Sequence, residues 1–267
     1  MLDVPPDLLA ITAETRARLA GFPCASPTLL GAYDGYGLVQ TGTTLSLVVR
    51  QDAPSAFAPL IDHTRLVAAT TATDIDRLTN EAATHGFASV CVSPFWVERA
   101  ASALAGTRIR VGTVVGFPLG ASTTRSKAFE TAEAVASGAN EIDVVIALGA
   151  VKAGDWNTVL DDLRAVRSAA EEATMKVILE TCLLSDEEKR RACNIAREAN
   201  ANFVKTSTGF ASAGATVEDV ALLRHTVGFD LGVKASGGIR TTRQALDLIF
   251  AGASRLGLSG SVGVISP

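Results

Sequence analysis

From about residue 58 the chain alternates short apolar runs rich in Val and Ile with longer amphipathic stretches. The runs predict strands near 59–65, 87–92, 109–116, 140–147, 175–181, 202–207, 231–236 and 253–258. Their nearly continuous apolar character suits strands buried on both faces. Helical patterns fill the gaps. Thr73 is placed to cap a helix running to about His85, Pro94 opens the next, and two more span Thr123–Ser137 and Asp155 to about Ala173. Ser185-Asp-Glu-Glu188 reads as a capping box, Thr216-Val-Glu-Asp219 as another, and Thr241 caps a last helix that ends near Gly252.

Eight strands in strict alternation with helices, over roughly 200 residues, predict an α/β fold of the (β/α)8 TIM barrel kind. Residues 59–267 form this barrel domain. An open, doubly wound sheet is the alternative, and the missing Gly-x-Gly-x-x-Gly after the first strand weakens its dinucleotide-binding form. Residues 1–58 stand outside the alternation and are expected to be an N-terminal extension packed on the barrel. Within them Leu8–Ala20 suits a helix, Gly31–Gly42 loops, and Thr44–Arg50 a short strand.

Composition narrows the function classes. Of 267 residues, 48% are apolar and 19% charged, so a large core is available. The net charge of −4 comes with no basic run, which argues against nucleic acid as a partner and leaves room for a local phosphate pocket. No apolar run reaches the ~18 residues of a membrane span. The start Met1-Leu-Asp-Val-Pro-Pro lacks a signal peptide's pattern, so a cytoplasmic location is expected. Cys24, Cys91, Cys182 and Cys193 form no Cys-x-x-Cys pair, and His63, His85 and His225 are scattered. Free thiols, no metal and no cofactor are the expectation.

Two lysines stand out, because each lies inside a strand-like apolar run. Lys205 occupies Ala201-Asn-Phe-Val-Lys-Thr-Ser-Thr-Gly-Phe210, and Lys234 occupies Gly232-Val-Lys-Ala-Ser-Gly-Gly-Ile-Arg240. A desolvated lysine near a second cation loses its proton more readily and becomes a nucleophilic amine, as Schiff-base chemistry requires. Strand alternation turns Phe203, Lys205 and Ser207 toward the barrel axis, with Lys234 and Ser236 on the next strand. On the fourth strand it turns Asp143 and Val145 inward and leaves Ile142, Val144 and Ile146 to the helices. Asp62 and Thr64 share one face of the first strand. If that face is the axis, two lysines and two aspartates meet inside, each compensating the others.

Singly, each residue has an ordinary explanation. A strand Asp is commonly a hydrogen-bond acceptor, and a Lys at a strand end commonly reaches solvent. Asp143, Lys205 and Lys234 converging on one barrel mouth favour catalysis. A second signal follows strands seven and eight, in Ser236-Gly-Gly-Ile-Arg240 and Gly257-Leu-Ser-Gly-Ser261. Small residues there expose backbone N–H groups, at the place where barrels hold substrate phosphates, and Gly209 adds another. Alone, a Gly-Gly pair is an ordinary turn, and Arg240 suits a helix surface as well as a phosphate.

Ile61-Asp-His-Thr64, Glu141-Ile-Asp-Val-Val145, Phe203-Val-Lys-Thr-Ser-Thr-Gly209 and Val233-Lys-Ala-Ser-Gly-Gly-Ile-Arg-Thr241 resemble the deoxyribose-phosphate aldolase family, supported by Val90-Cys-Val-Ser-Pro94 and Val115-Gly-Phe-Pro-Leu-Gly120. The resemblance runs from about residue 59 to 261. It implies a metal-free, cofactor-free class I aldolase of deoxyribose and deoxynucleoside catabolism. Such an enzyme reversibly cleaves 2-deoxy-D-ribose 5-phosphate to D-glyceraldehyde 3-phosphate and acetaldehyde. It further implies Lys205 as the Schiff-base lysine, Lys234 as the second lysine that lowers its pKa, Asp143 as the proton-handling carboxylate and Asp62 as a supporting residue. Substrate and phosphate contacts are expected from Thr64, Thr206, Gly209, Ser236, Gly237, Gly238, Arg240, Ser259 and Gly260.

Three positions depart from the family pattern. The chain ends Gly263-Val-Ile-Ser-Pro267 without the terminal tyrosine of some members, which implies slower proton exchange or another group in that role. Gly260 stands where a second serine is common, with Ser261 as its candidate substitute, and Phe210 stands where a cation sometimes follows the glycine. Weaker phosphate affinity and more tolerance of unphosphorylated aldehydes follow as an expectation. Two other functions remain in play: a class I aldolase for a different sugar phosphate, and a non-catalytic sugar-phosphate sensor, which would not need the nucleophilic lysine. A homodimer is the base-rate assembly.

Overall fold

The computed structural model describes residues 58–228 and 230–265, together with the backbone of three strands between residues 24 and 49. Those strands, β1 (Cys24–Tyr33), β2 (Tyr36–Gly42) and β3 (Thr44–Val49), form an antiparallel sheet in the order β1-β2-β3. This corrects the expectation of loops over Gly31–Gly42. Tyr33 pairs with Tyr36, and the Asp-Gly between them in the sequence is a strong signal for a two-residue hairpin. The predicted strand over Thr44–Arg50 is β3. The helix expected over Leu8–Ala20 lies outside the described residues.

The barrel strands are β4 (Ile61–Arg65), β5 (Ser89–Val92), β6 (Arg110–Val115), β7 (Glu141–Val145), β8 (Thr174–Ile178), β9 (Phe203–Lys205), β10 (Gly232–Ser236) and β11 (Arg255–Leu258). They close in the order β10-β11-β4-β5-β6-β7-β8-β9, and every pair is parallel. Each strand is followed by helix: α1 (Ala72–His85), α2 (Val97–Ala103), α3 (Thr124–Ala136), α4 (Leu148–Ala153), α5 (Trp156–Ala169), α6 (Asp186–Glu198), α7 (Val217–Val227), α8 (Thr242–Phe250) and α9 (Ser261–Ile265). The short helices α4 and α9 were not predicted. They lack the length over which apolar periodicity becomes visible. Among the described residues no helix is long and apolar enough to cross a membrane.

Helix starts follow capping chemistry. Ser185 and Glu188 form the expected box at α6, and Thr241 with Gln244 forms one at α8. Thr216 caps α7 through its hydroxyl, while Asp219 is drawn to Lys189 at 2.6 Å. At α1 the cap is Thr71 rather than Thr73. Its hydroxyl accepts from the Asp74 N–H, and the Asp74 carboxylate accepts the Thr71 N–H, which leaves Thr73 inside the first turn.

Strand alternation sorts the barrel into two environments. Ile61, Val90, Val111, Ile142, Val144, Val177, Val204, Val233 and Leu256 point outward into the apolar layer beneath the helices. Full burial of such side chains contributes about 1.5–3 kcal/mol each. The opposite parity points inward and includes Asp62, Ser89, Glu141, Asp143, Lys176, Lys205 and Lys234. One buried pair lies outside the barrel. Lys127 of α3 reaches Asp162 of α5 at 2.6 Å and donates to the Val145 carbonyl at 2.9 Å, so it ties two helices to the end of β7. Asp162→Ala leaves that ammonium buried and unpaired and is expected to cost about 3–5 kcal/mol, read as a lower urea midpoint. Pairing Lys127→Met with Asp162→Leu should recover much of the loss. A single variant as stable as the parent would show that the pair carries no weight.

Candidate active site

The barrel interior is a charge network centred on Asp143. Its Oδ1 accepts from Lys176 Nζ at 2.7 Å, and its Oδ2 accepts from Lys205 Nζ at 2.8 Å and Lys234 Nζ at 2.7 Å. The register explains the convergence. Asp143 lies beside Lys176, Lys234 beside Lys205, and Lys234 beside Arg255 on neighbouring strands. Asp62 faces the axis too. It accepts from Ser89 Oγ at 2.7 Å and from Arg255 at 2.6 Å, and its second oxygen lies 2.5 Å from Lys234 Nζ in a close charge contact without hydrogen-bond alignment. Glu141 completes the lower layer, 2.7 Å from Lys176 and 3.3 Å from Arg255. Gly257 makes the space: a β-carbon there would lie 3.1 Å from Lys234 Cε.

Four cations (Lys176, Lys205, Lys234, Arg255) thus face three carboxylates (Asp62, Glu141, Asp143), all nearly or wholly cut off from water except Arg255 at 16%. Burial and the neighbouring charges together set the direction in which each group shifts. Burial and the neighbouring Lys234 push the Lys205 ammonium below the ordinary lysine pKa, against the pull of Asp143. Burial also disfavours charge on Lys234, yet Asp143 and Asp62 more than offset it and raise its pKa. Lys176 is raised in the same way by Asp143 and Glu141. Burial works to raise Asp143, but Lys176, Lys205 and Lys234 hold it well below the usual carboxylate range. Asp62 is depressed likewise by Lys234, Lys176 and Arg255, although burial opposes this.

The sign of the linkage follows from these directions. Stabilisation by the depressed carboxylates is complete above their ordinary pKa and is lost as pH falls through the depressed values. Stabilisation by Lys176 and Lys234 is complete below the ordinary lysine pKa and is lost as pH rises through the raised values. The network therefore stays intact across neutral pH.

Lys205 opens into a cavity of about 400 Å³ at the C-terminal mouth. Thr64, Gly209, Ser236, Gly237, Gly238, Arg240 and Ser259 line it, as does Phe210, whose ring packs edge-on against Phe117 at 5.2 Å. Thr206 and Gly260, also expected to contact substrate, are not among its lining residues. Thr206 is fully buried, and its hydroxyl bridges β9 to β10 through the Ser236 N–H at 3.1 Å and carbonyl at 3.2 Å. Gly237 must be glycine. Its φ is 84°, and a β-carbon would lie 3.0 Å from Gly214 Cα and 3.3 Å from Gly209 Cα.

Lys176, Glu141 and Arg255 were missed in the sequence, although the alternation that selected Asp143 also selects them. Lys176 and Arg255 stand alone in their strands, and Glu141, although it opens the Asp143 motif, lies at the strand start, where a carboxylate reads as solvated. Glu180 was missed as well. Its φ of 54° is a left-handed conformation that costs a non-glycine residue about 1–3 kcal/mol. Its buried carboxylate accepts the Thr208 N–H at 3.2 Å and the Thr208 hydroxyl, holding the loop that follows Lys205.

Residues 57–266 match the sequence model of the DeoC/LacD family aldolases. The deoxyribose-phosphate aldolase of Brevibacillus brevis is 55% identical over 206 residues, 77% of this chain and 93% of that protein. Deoxyribose-phosphate aldolase 2 of Bacillus licheniformis is 57% identical over 211 residues, 79% of this chain and 95% of that protein. Among solved structures, the deoxyribose phosphate aldolase of Aeropyrum pernix, described as a tetramer, superposes with a TM-score of 0.75 at 31% identity. That match covers 80% of this chain and 91% of the other.

Lys234→Met removes the cation that lowers Lys205 and leaves Asp143 to raise it. The pH midpoint for trapping a simple aldehyde on the protein with borohydride is expected to move upward, so that less adduct forms at a fixed lower pH. An unmoved midpoint would mean that Lys234 does not tune the amine.

Proposed function

The chain belongs to the DeoC/LacD family of aldolases, and we propose that it cleaves 2-deoxy-D-ribose 5-phosphate reversibly to D-glyceraldehyde 3-phosphate and acetaldehyde through a Schiff base on Lys205. One observation carries the assignment of the nucleophile. Three lysines meet at Asp143, and among them only Lys205 both lines the cavity and has its ammonium disfavoured.

Lys205 attacks the C1 aldehyde of the open-chain sugar to give a carbinolamine. Loss of water leaves an iminium, an electron sink beside C2. Removal of the C3 hydroxyl proton breaks the C2–C3 bond, and the electron pair moves into the iminium to form an enamine. C3 to C5 leave as glyceraldehyde 3-phosphate. Protonation of the enamine at C2 and hydrolysis of the new iminium release acetaldehyde and free Lys205. Asp143 is the carboxylate placed to exchange these protons, directly or through water, since it already accepts from Lys205 Nζ. Lys234 remains an ammonium throughout, so its field favours the neutral amine before reaction. Asp62 holds Lys234 in place.

The phosphate end is assigned to Gly209, Gly237, Gly238 and Ser259, with Arg240 at the rim. Thr64 and Ser236, which line the same cavity, are assigned to the sugar. A homo-oligomer, with a homodimer as its simplest form, is the proposed assembly.

Incubation with deoxyribose 5-phosphate and borohydride should leave a reduced adduct on Lys205, mapped by mass spectrometry, and an unreduced control should release glyceraldehyde 3-phosphate. Lys205→Leu should lose both adduct and activity. An adduct on Lys176 or Lys234 would overturn the assignment of the nucleophile, and release of a different aldehyde would point to another sugar phosphate.

A further inference from the structure

The cavity lining contains three cations, Lys205, Arg65 and Arg240, and no carboxylate. Lys205 is the group whose charge is disfavoured. The two arginines stay charged at any working pH. Arg240 follows β10 and Arg65 closes β4, while Ser259 follows β11, the strand between them in the barrel order. The two arginines therefore end strands that flank, on opposite sides, the strand leading into the Ser259 turn, and all three residues border the one cavity.

The ordinary role for Arg65 is its ion pair with Asp74, and that pair accounts for little of the side chain. The contact is a single NH2 to Oδ1 approach of 3.3 Å, with Arg65 35% exposed. Arg77 holds the same Asp74 oxygen more closely, at 2.9 Å, and the other oxygen takes the N–H and hydroxyl of Thr71 at 2.9 Å each. Asp74 is thus satisfied without Arg65. Loose surface pairs of this kind contribute about 0–1 kcal/mol. The Arg65 Nε–H meanwhile is buried from solvent and has no acceptor. A charged donor without an acceptor is costly, and because Arg65 borders the cavity, a turn of its half-exposed side chain toward a bound ligand would let the guanidinium complete its hydrogen bonds.

We propose that Arg65 recognises the substrate phosphate, gripping a phosphate monoester against the Ser259 turn from the β4 side while Arg240 faces it from the β10 side. A guanidinium presents paired N–H donors suited to phosphate oxygens. Arg65 thereby supplies the cation that Phe210 does not, and makes up for the hydroxyl missing at Gly260. The inference rests on the phosphate-end assignment made under the proposed function. It reverses the expectation of a weak phosphate preference.

The test compares kcat/KM for deoxyribose 5-phosphate with that for deoxyribose, in the parent enzyme and in Arg65→Leu. The ratio of the two is expected to fall roughly ten- to a hundredfold, mainly through KM for the phosphorylated sugar, with a parallel rise in the inhibition constant of inorganic phosphate. Arg65→Lys should restore part of the ratio. A ratio unchanged in Arg65→Leu, whatever happens to the absolute rates, overturns the proposal. Should that variant not fold, judged by its thermal melt, Arg65→Gln carries the same comparison and the same two outcomes. A parent enzyme with no phosphate preference, or with no adduct on Lys205, would instead overturn the underlying site assignment.

Discussion

Everything at the barrel mouth depends on one carboxylate receiving three ammonium groups. Asp143 is fully buried, and it would be neutral there if desolvation acted alone. Lys176, Lys205 and Lys234 keep it ionised, and Asp62 and Glu141 secure the cations in turn. With four cations against three carboxylates, the cluster is one positive charge out of balance until a proton leaves. Lys205 is where the loss costs least, because Lys176 and Lys234 each hold a second carboxylate and Lys205 does not. A general need for charge balance thereby becomes a specific amine.

The apolar shell makes this imbalance effective. Outward-facing Val, Ile and Leu residues seal the strands against the helices, so bulk water does not screen the interior charges. At the cavity end the requirements change from burial to access. Glycine backbones at Gly209, Gly214 and Gly237 pack closely, and Glu180 accepts a strained conformation to hold Thr208 beside them. The loop after Lys205 and the loop after Lys234 are thus braced against each other. The bracing keeps the cavity wall at a fixed distance from the Lys205 amine, as a reaction that depends on positioning requires.

Much of this was legible in the chain itself. Alternating strands and helices pointed to a parallel barrel with an open doubly wound sheet as the alternative, and the pairing of β11 with β4 decides for closure. The fully buried lysines were legible where a motif surrounded them. Lys205 and Lys234 sit within long runs of small and hydroxyl residues, whereas Lys176 and Arg255 are single charges near strand starts that look solvated, and Glu141 stands at the start of the strand that carries Asp143. The Gly31–Gly42 segment was misread because its glycines outweighed the Asp-Gly hairpin signal between two strands. Thr73 was preferred over Thr71 as a cap because either is a threonine before the same apolar run, and only the backbone decides which hydroxyl meets the Asp74 N–H.

What the sequence determined by itself was periodicity: which residues share a strand face, where helices start, and which small residues interrupt them. Those are local properties, set by the two-residue repeat of a strand and the orphan donors of a helix end. Tertiary structure alone decided the register between strands. Register places Asp143 beside Lys176 and Lys205 beside Lys234, and so determines which lysine is left with one carboxylate and which with more. It also brought Arg65, from the far end of the barrel sequence, to the turn after the last strand. A closed barrel joins its first strand to its last, and no local pattern records that juxtaposition.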